Sequence, residues 1–260
     1  MFGVVTVIFF LFNVLPGDPA QMMLGQNESS DQLMIVKKKY GFDKPIVNQY
    51  FLYLNDLSPI SLHYKNKEDY SYFGKNKYTG FELFDIKDFS VSFKYPYLRT
   101  SFVNQGKKVS EIIGDTLPNT IILAISAISI AIILGIILGI FSALFKNSII
   151  DFSIQLFSTI GMSVPSFFSA IIFAWVFGFL LKDLTGLEMS GSLYELDDYG
   201  ESYNLKLKNL ILPSIVLGIR PLAVISQLMR NELLNVLNQD YIRTARAKGL
   251  SNFLVIRDHA

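Results

Sequence analysis

Residues 239–250, Gln-Asp-Tyr-Ile-Arg-Thr-Ala-Arg-Ala-Lys-Gly-Leu, hold the side chains best spaced for chemistry. That chemistry is recognition rather than catalysis. Asp240 is placed to cap a helix N-terminus, where its carboxylate accepts from free backbone N–H groups and suits the helix dipole. Tyr241, Ile242 and Ala245 then share one face at helical spacing, while Arg243 and Arg246 share another edge. Lys248 falls in the last turn, where a cation is favourable, and Gly249 suits the left-handed position just past the end. Ala245 and Ala247 keep the helix slim, and the two arginines offer charge-assisted hydrogen bonds. Ser251 can cap a following helix that carries Phe253, Leu254 and Ile256. The predicted product is a short basic helix, then a turn, shaped to enter a groove on another protein. An interfacial helix whose cations merely obey the positive-inside rule would read the same way, and these residues alone leave both open.

Other chemistry has little to work with. The chain has no cysteine, so it has no disulfide, thiolate metal site or cysteine nucleophile. His63 and His259 are its two histidines, both outside the apolar segments. No Gly-x-x-x-x-Gly-Lys-Ser/Thr loop occurs, so the chain is not expected to bind nucleotide; no metal and no cofactor of its own are expected either. A net charge of +1 supplies no field for nucleic acid. An intramembrane hydrolase would need an acid/base or metal constellation, which the segments between 116 and 181 do not contain.

The elements that must position residues 239–250 are membrane spans. Hydrophobic residues make up 51% of the chain and charged ones 17%, and the apolar residues are segregated. Thr116–Phe145 and Phe152–Leu181 carry no charge at all, and each exceeds the roughly 20 apolar residues that a crossing needs. Leu210–Met229 is a weaker span with Arg220 and Pro221 at its middle. A central arginine costs about 2.5–3.5 kcal/mol on insertion scales, which the Ile, Leu and Val content offsets. Residues 1–15 are apolar but lack the basic start and cleavage site of a signal peptide, and Pro16-Gly17-Asp18-Pro19 closes them. They are read as the outer half of a first span. The predicted fold class is therefore an all-α integral membrane protein, a polytopic helical bundle.

Charge in the connections sets the predicted orientation. The 182–209 loop holds Lys182, Lys206 and Lys208 against Asp183, Glu188, Glu195, Asp197, Asp198 and Glu201. The tail holds Arg230, Arg243, Arg246, Lys248 and Arg257 against Glu232, Asp240 and Asp258. A basic tail inside and an acidic loop outside imply a cytoplasmic N-terminus and an external 16–115 segment. Within that segment 28–56 reads as helical, with Gly41 as a stop and Pro45 starting a second helix. Residues 61–99 read as a small folded insert with short strands such as Phe89-Val91-Phe93; disorder is the alternative.

Within the spans, Gly135 and Gly139 form a Gly-x-x-x-Gly pair beside Ala124, Ala127 and Ala131. Small residues let membrane helices approach closely, either inside the subunit or across a dimer. Pro165 predicts a kink. Arg220 is a candidate for the translocation pathway, because an intramembrane charge usually faces a cavity or partner; a packing role at the Pro221 kink is the other reading.

The 240–250 string resembles the ATPase-coupling loop of ABC-importer permeases in the oligopeptide and dipeptide branch. Gly249 aligns with the glycine of the family's Glu-Ala-Ala-x-x-x-Gly pattern, with Arg243, Thr244 and Ala245 at its leading positions, a departure typical of that branch. Pro16-Gly17-Asp18-Pro19, Tyr40-Gly41-Phe42-Asp43-Lys44-Pro45 with Gln49-Tyr50, Thr116-Leu117-Pro118-Asn119-Thr120 and Leu212-Pro213 are similar to further motifs of the branch, in order. The resemblance implies a bundle of the type I importer kind in a bacterial inner or plasma membrane. It implies pairing with a second homologous permease, two cytoplasmic ABC ATPases that use ATP, and an external peptide-binding protein. Asp240, Tyr241, Ile242, Arg243, Ala245, Arg246, Ala247, Lys248 and Gly249 would transmit ATPase closure, within a coupling loop at 238–257. Such a chain is a transducer and not an enzyme. The family's six spans further imply a chain truncated at both ends, with spans five and six absent, and the insert at 61–99 is longer than usual. A nickel or other small-solute importer is the competing reading; a stand-alone channel or membrane scaffold belongs to a different class.

Overall fold

A computed structural model describes residues 2–14, 18–24, 29–74, 76–104, 106–197 and 199–259. Leu15, Pro16 and Gly17 of the expected turn lie outside the described residues, as do Glu28, Asp198 and Ala260. The chain is mostly helical, with a small strand-containing insert, and divides into two units, Met1–Thr116 and Leu117–Ala260.

The first unit starts with the apolar helix α1 (Phe2–Val14), followed by α2 (Pro19–Leu24), α3 (Ser30–Tyr40) and α4 (Ile46–Leu57). Local signals set these boundaries. Ser29 and Gln32 form a reciprocal capping box at the start of α3. Gly41 ends it at φ +73°, where a side chain would be strained. Gln49 Nε2 donates to the Phe42 and Lys44 carbonyls and ties the α3–α4 turn to the next helix. Three antiparallel strands follow, β1 (Ile60–Tyr64), β2 (Gly80–Ile86) and β3 (Phe89–Lys94), in the order β1-β3-β2. Ile60 pairs with Phe93 and Tyr64 with Phe89, while β2 pairs Phe81 with Phe93 and carries an irregularity between Glu82 and Phe84.

This sheet is turned largely inside out. On β1 and β3 the polar residues Ser61, His63, Ser90, Ser92 and Lys94 are covered, with Val91, whereas Ile60, Leu62, Tyr64 and, on the wholly exposed β2, Phe81, Phe84 and Ile86 are exposed. Most buried polar groups find partners; here the main cluster gathers around Asp56 at the end of α4, while the Ser92 hydroxyl has no partner among the described residues. The Asp56 carboxylate accepts from Tyr70 and Tyr78 hydroxyls at 2.7 and 2.8 Å and from Arg99 Nε at 2.9 Å. Lys94 Nζ donates to the Asp56 and Ser58 carbonyls. His63 bridges the Ser61 hydroxyl and the Ser71 carbonyl, both at 2.7 Å. Lys77 Nζ lies 3.2 Å from the centre of the Tyr70 ring and near the rings of Tyr78 and Tyr97. Burial pulls the Lys77 ammonium down to about 7, against the attraction of Asp56. Burial and the Asp56 charge together push the Tyr70 and Tyr78 hydroxyls far up, and Tyr97 up to about 12.

Helix α5 (Val109–Leu144) spans the division between the units and has 36 residues. The second unit continues with α6 (Ile149–Ser163), α7 (Ser166–Trp175), a π turn at Val176–Leu180, α8 (Lys182–Thr185), the hairpin β4 (Tyr194–Leu196) and β5 (Tyr203–Leu205), and α9 (Lys208–Leu237). By length and apolarity α5 and α9 can each cross a membrane. The segment expected to cross at 152–181 is not one straight helix. It breaks at Val164-Pro165 and its halves meet at 110°. Pro165 has no N–H to donate to the Gly161 carbonyl, and its ring disfavours helical backbone at Val164. Conversely, Pro213 and Pro221 lie inside α9 without ending it. The chain is a multi-pass membrane protein.

The small residues of α5 face α9. Ala127, Ala131, Gly135, Gly139 and Ser142 are buried along one stripe. A Cβ on Gly139 would come within 2.6 Å of Met229 Cβ and 2.7 Å of the Ser226 carbonyl. One on Gly135 would meet Ile225 at 2.9 Å, and one on Gly218 the Ala127 carbonyl at the same distance. The close approach that the Gly-x-x-x-Gly spacing permits is thus made within the subunit, between α5 and α9.

Candidate coupling helix and its support

Past Leu237 the chain turns at Asn238 and Gln239 into α10 (Asp240–Ala247), then runs into α11 (Asn252–His259). Gln239, with extended backbone, is the N-cap, and no side chain caps the helix. Asp240 is therefore the first helical residue rather than the expected cap. It remains where a carboxylate favours the dipole, almost fully exposed, and accepts from Arg243 Nη1 at 3.3 Å.

One side of α10 is fixed by packing. Ile242 and Val255 are 0% exposed and Ala245 6%, and they form a small core against Val236 and Leu237 of α9. Tyr241 was expected on the same face as Ile242 and Ala245, but it is 52% exposed. Adjacent residues are turned about 100° from each other on a helix, and the core takes Ile242. The exposed side therefore carries Tyr241, Arg243, Arg246, Ala247 and Lys248.

The C-terminus closes with two paired bonds. Gly249 N–H donates to the Arg246 carbonyl at 2.9 Å, and Leu250 N–H to the Ala245 carbonyl at 3.4 Å. This is the Schellman pattern, which needs a left-handed residue just past the cap; Gly249 has φ +85°. A Cβ there would meet nothing within 4 Å, so conformation and not space demands glycine. Ser251 Oγ accepts from Leu254 N–H at the start of α11.

Two turns before α10, α9 is held by a pair that the sequence reading did not single out. Arg230 Nε and Nη2 donate to the two oxygens of Asp151 at 2.8 and 2.7 Å. Asp151 also accepts from the Ser142 hydroxyl at 2.5 Å and from Asn147 N–H at 3.0 Å. The carboxylate is 5% exposed and the guanidinium side chain 18%. The usable hints were local: Ser148 caps α6 by accepting from Asp151 N–H, and Asp151 bounds an uncharged stretch.

Arg220 lies elsewhere. Its Nε and Nη2 donate to the Met162 carbonyl at 3.4 and 3.3 Å. That carbonyl loses its helical partner where α6 breaks, and Arg220 supplies donors to it. With 17 residues of helix between Arg220 and Leu237, it stands about 25 Å along α9 from the start of the turn into α10. A cavity of about 420 Å³ opens elsewhere in this unit, lined by Leu123, Phe167, Glu188, Asn209 and Val216 among others. Among the described residues, no three acidic or histidine side chains group to hold a metal.

The comparisons with known proteins agree with this architecture. Residues 135–260 match the family described as binding-protein-dependent transport system inner membrane component, and residues 1–68 match its N-terminal counterpart. Among similar relatives is the "Dipeptide transport system permease protein DppB" of Lactococcus lactis subsp. cremoris (strain MG1363). It is 30% identical over 260 residues, which cover 100% of this chain and 68% of the relative. The protein of the same title from Alkalihalophilus pseudofirmus is 32% identical over 277 residues, covering 100% and 71%. The "Di/tripeptide transport system permease protein DppB" of Pseudomonas aeruginosa (strain UCBPP-PA14) is 30% identical, covering 100% and 70%. This chain belongs to the family of binding-protein-dependent transport system inner membrane components, the permeases of ABC importers.

Proposed function

We propose that the chain is the permease subunit of an ATP-driven importer of oligopeptides or dipeptides, and that α10 is its coupling helix. One observation carries the coupling role. The apolar side of α10 is used up on α9 and α11, which leaves Arg243, Arg246 and Lys248 presented as a rigid cationic face. A helix held only by lipid would instead leave its apolar side free for the bilayer. The relatives, named as dipeptide and di/tripeptide permeases, support the peptide substrate.

In this reading the chain pairs with a homologous permease in a bacterial inner membrane. Its N-terminus and α10 face the cytoplasm, and the sheet of the first unit faces outside, towards a peptide-binding protein. Two cytoplasmic ATPases grip the α10 of each permease. When ATP draws the ATPases together, α10 moves with them, and its packing on Val236 and Leu237 carries the displacement into α9. The ATPases bind and hydrolyse ATP; this chain converts their motion into a change of access.

The absence of cysteine makes the test direct. A Lys248→Cys variant, in the assembled transporter in native membranes, is expected to form a short-linker adduct with an ATPase whose yield changes with ATP. No adduct in assembled transporter would return α10 to an interfacial helix and remove the coupling reading.

A further inference from the structure

The Asp151–Arg230 pair lies between the element that receives the ATPase motion and the rest of the bundle. We propose that Arg230 and Asp151 form a rigid joint that carries displacement of α10 past α9 into the corner between α5 and α6. This rests on the coupling reading of α10.

Four donors meet on one carboxylate, and they come from three places in the chain. Arg230 is on α9, Ser142 on the last turn of α5, and Asn147 in the turn before α6, while Asp151 itself is on α6. The two bonds from Arg230 are parallel, and a planar fork of that kind resists rotation as well as separation. The neighbouring residue closes the same gap by contact: Met229 packs where Gly139 has no side chain, with 2.6 Å to a hypothetical Cβ. On the other side Val236 and Leu237, six and seven residues along α9 from Arg230, hold Ile242 of α10. One stiff piece of helix about 10 Å long therefore connects the two attachments. Helix α9 is also packed against α6 and α7, so the pair is not its sole attachment to the bundle. The position of the pair between α10 and the corner is what makes it a transmitter.

The test is a distance measurement in the assembled transporter. Spin labels are attached at Lys146→Cys, exposed in the corner, and Lys248→Cys, at the end of α10. With Arg230 present, the distribution is expected to be narrow and unchanged between the nucleotide-free and the ATP/vanadate-trapped states, because the two sites move together. Arg230→Met, which keeps the stem and loses the fork, is expected to broaden it and make it shift with nucleotide. ATP-driven uptake of a labelled dipeptide per ATP hydrolysed should fall at least tenfold. Arg230→Lys keeps the charge without the fork and should recover part of the narrow distribution; a mere packing role would make Met serve as well as Lys. If Arg230→Met prevents assembly, Arg230→Lys and Asp151→Asn carry the same comparison. An unchanged narrow distribution in assembled variants overturns the joint. Loss of the Lys248→Cys adduct with the ATPase would instead overturn the coupling reading, so the two failures are distinct.

Discussion

Ile242→Ala tests how α10 is held to the bundle. Ile242 is fully buried, in a core shared, among the described residues, with Ala245, Val255, Val236 and Leu237. The substitution removes three carbons, worth about 2.4 kcal/mol at ~0.8 kcal/mol each, and the residual cavity raises the loss to about 3 kcal/mol. Because this core is small and local, the cost falls on the docking of α10 against α9 and leaves the long helices untouched. At ~1.4 kcal/mol per decade, docking should weaken roughly a hundredfold. Hydrogen exchange reads this directly: amides in 242–248 should exchange about a hundred times faster, with those in 222–233 unchanged. Tyr241→Ala, at an exposed position, should leave both sets within ~0.5 kcal/mol of wild type. If the 242–248 amides of the Ile242→Ala variant keep wild-type rates, α10 is not held by this core, and transmission from α10 to α9 loses its physical basis.

Two further outcomes are expected. Gly139→Val places a branched side chain where even one carbon would meet Met229 and the Ser226 carbonyl; α5 and α9 must separate, lowering the thermal stability of the detergent-solubilised protein by several degrees. The folded-state value of Lys77 lies below its ordinary 10.5, at about 7. The unfolded state therefore binds more protons between these values, and protection of the 56–99 segment should rise with pH through that window, by up to about 1.4 kcal/mol per pH unit. Lys77→Met should remove the Lys77 part of that slope, as measured by pH-dependent hydrogen exchange corrected for intrinsic rates.

Much of α10 was legible because helix periodicity, two alanines and a glycine stop act over a few residues. The misplaced details were also local. Gln239 rather than Asp240 takes the extended cap position, and Tyr241 yields the core to Ile242, since a face assigned by spacing alone cannot say which of two neighbours packs inward. Pro165 signalled a break but carried no information on its angle, which depends on how α7 packs against α9. Least legible were the charge contacts. Asp151 and Arg230 are 79 residues apart, and Asp56 and Arg99 are 43 apart. Each of these residues looks like an ordinary surface charge until the chain is folded. The strand at Phe89-Val91-Phe93 was readable as an alternation, but a period of two does not say which face is covered. There, burial of Lys94 depends on the distant Asp56 and Ser58 carbonyls that receive its ammonium.

The inside-out sheet gives its unit an unusual thermal character. Exposing apolar surface raises the heat capacity of unfolding and exposing polar surface lowers it. A region that keeps Asp56, His63 and Lys94 inside beside the Tyr70 and Tyr78 rings, and Phe81, Phe84 and Ile86 outside, releases a larger polar share when it opens than a domain with a purely apolar core. Its free energy should thus vary with temperature along a shallow arc, not the steep dome of an oil-filled domain, and cooling should weaken it little. Held together by directed bonds as well as by the avoidance of water, it gains correspondingly less from salts such as sulfate that strengthen apolar burial.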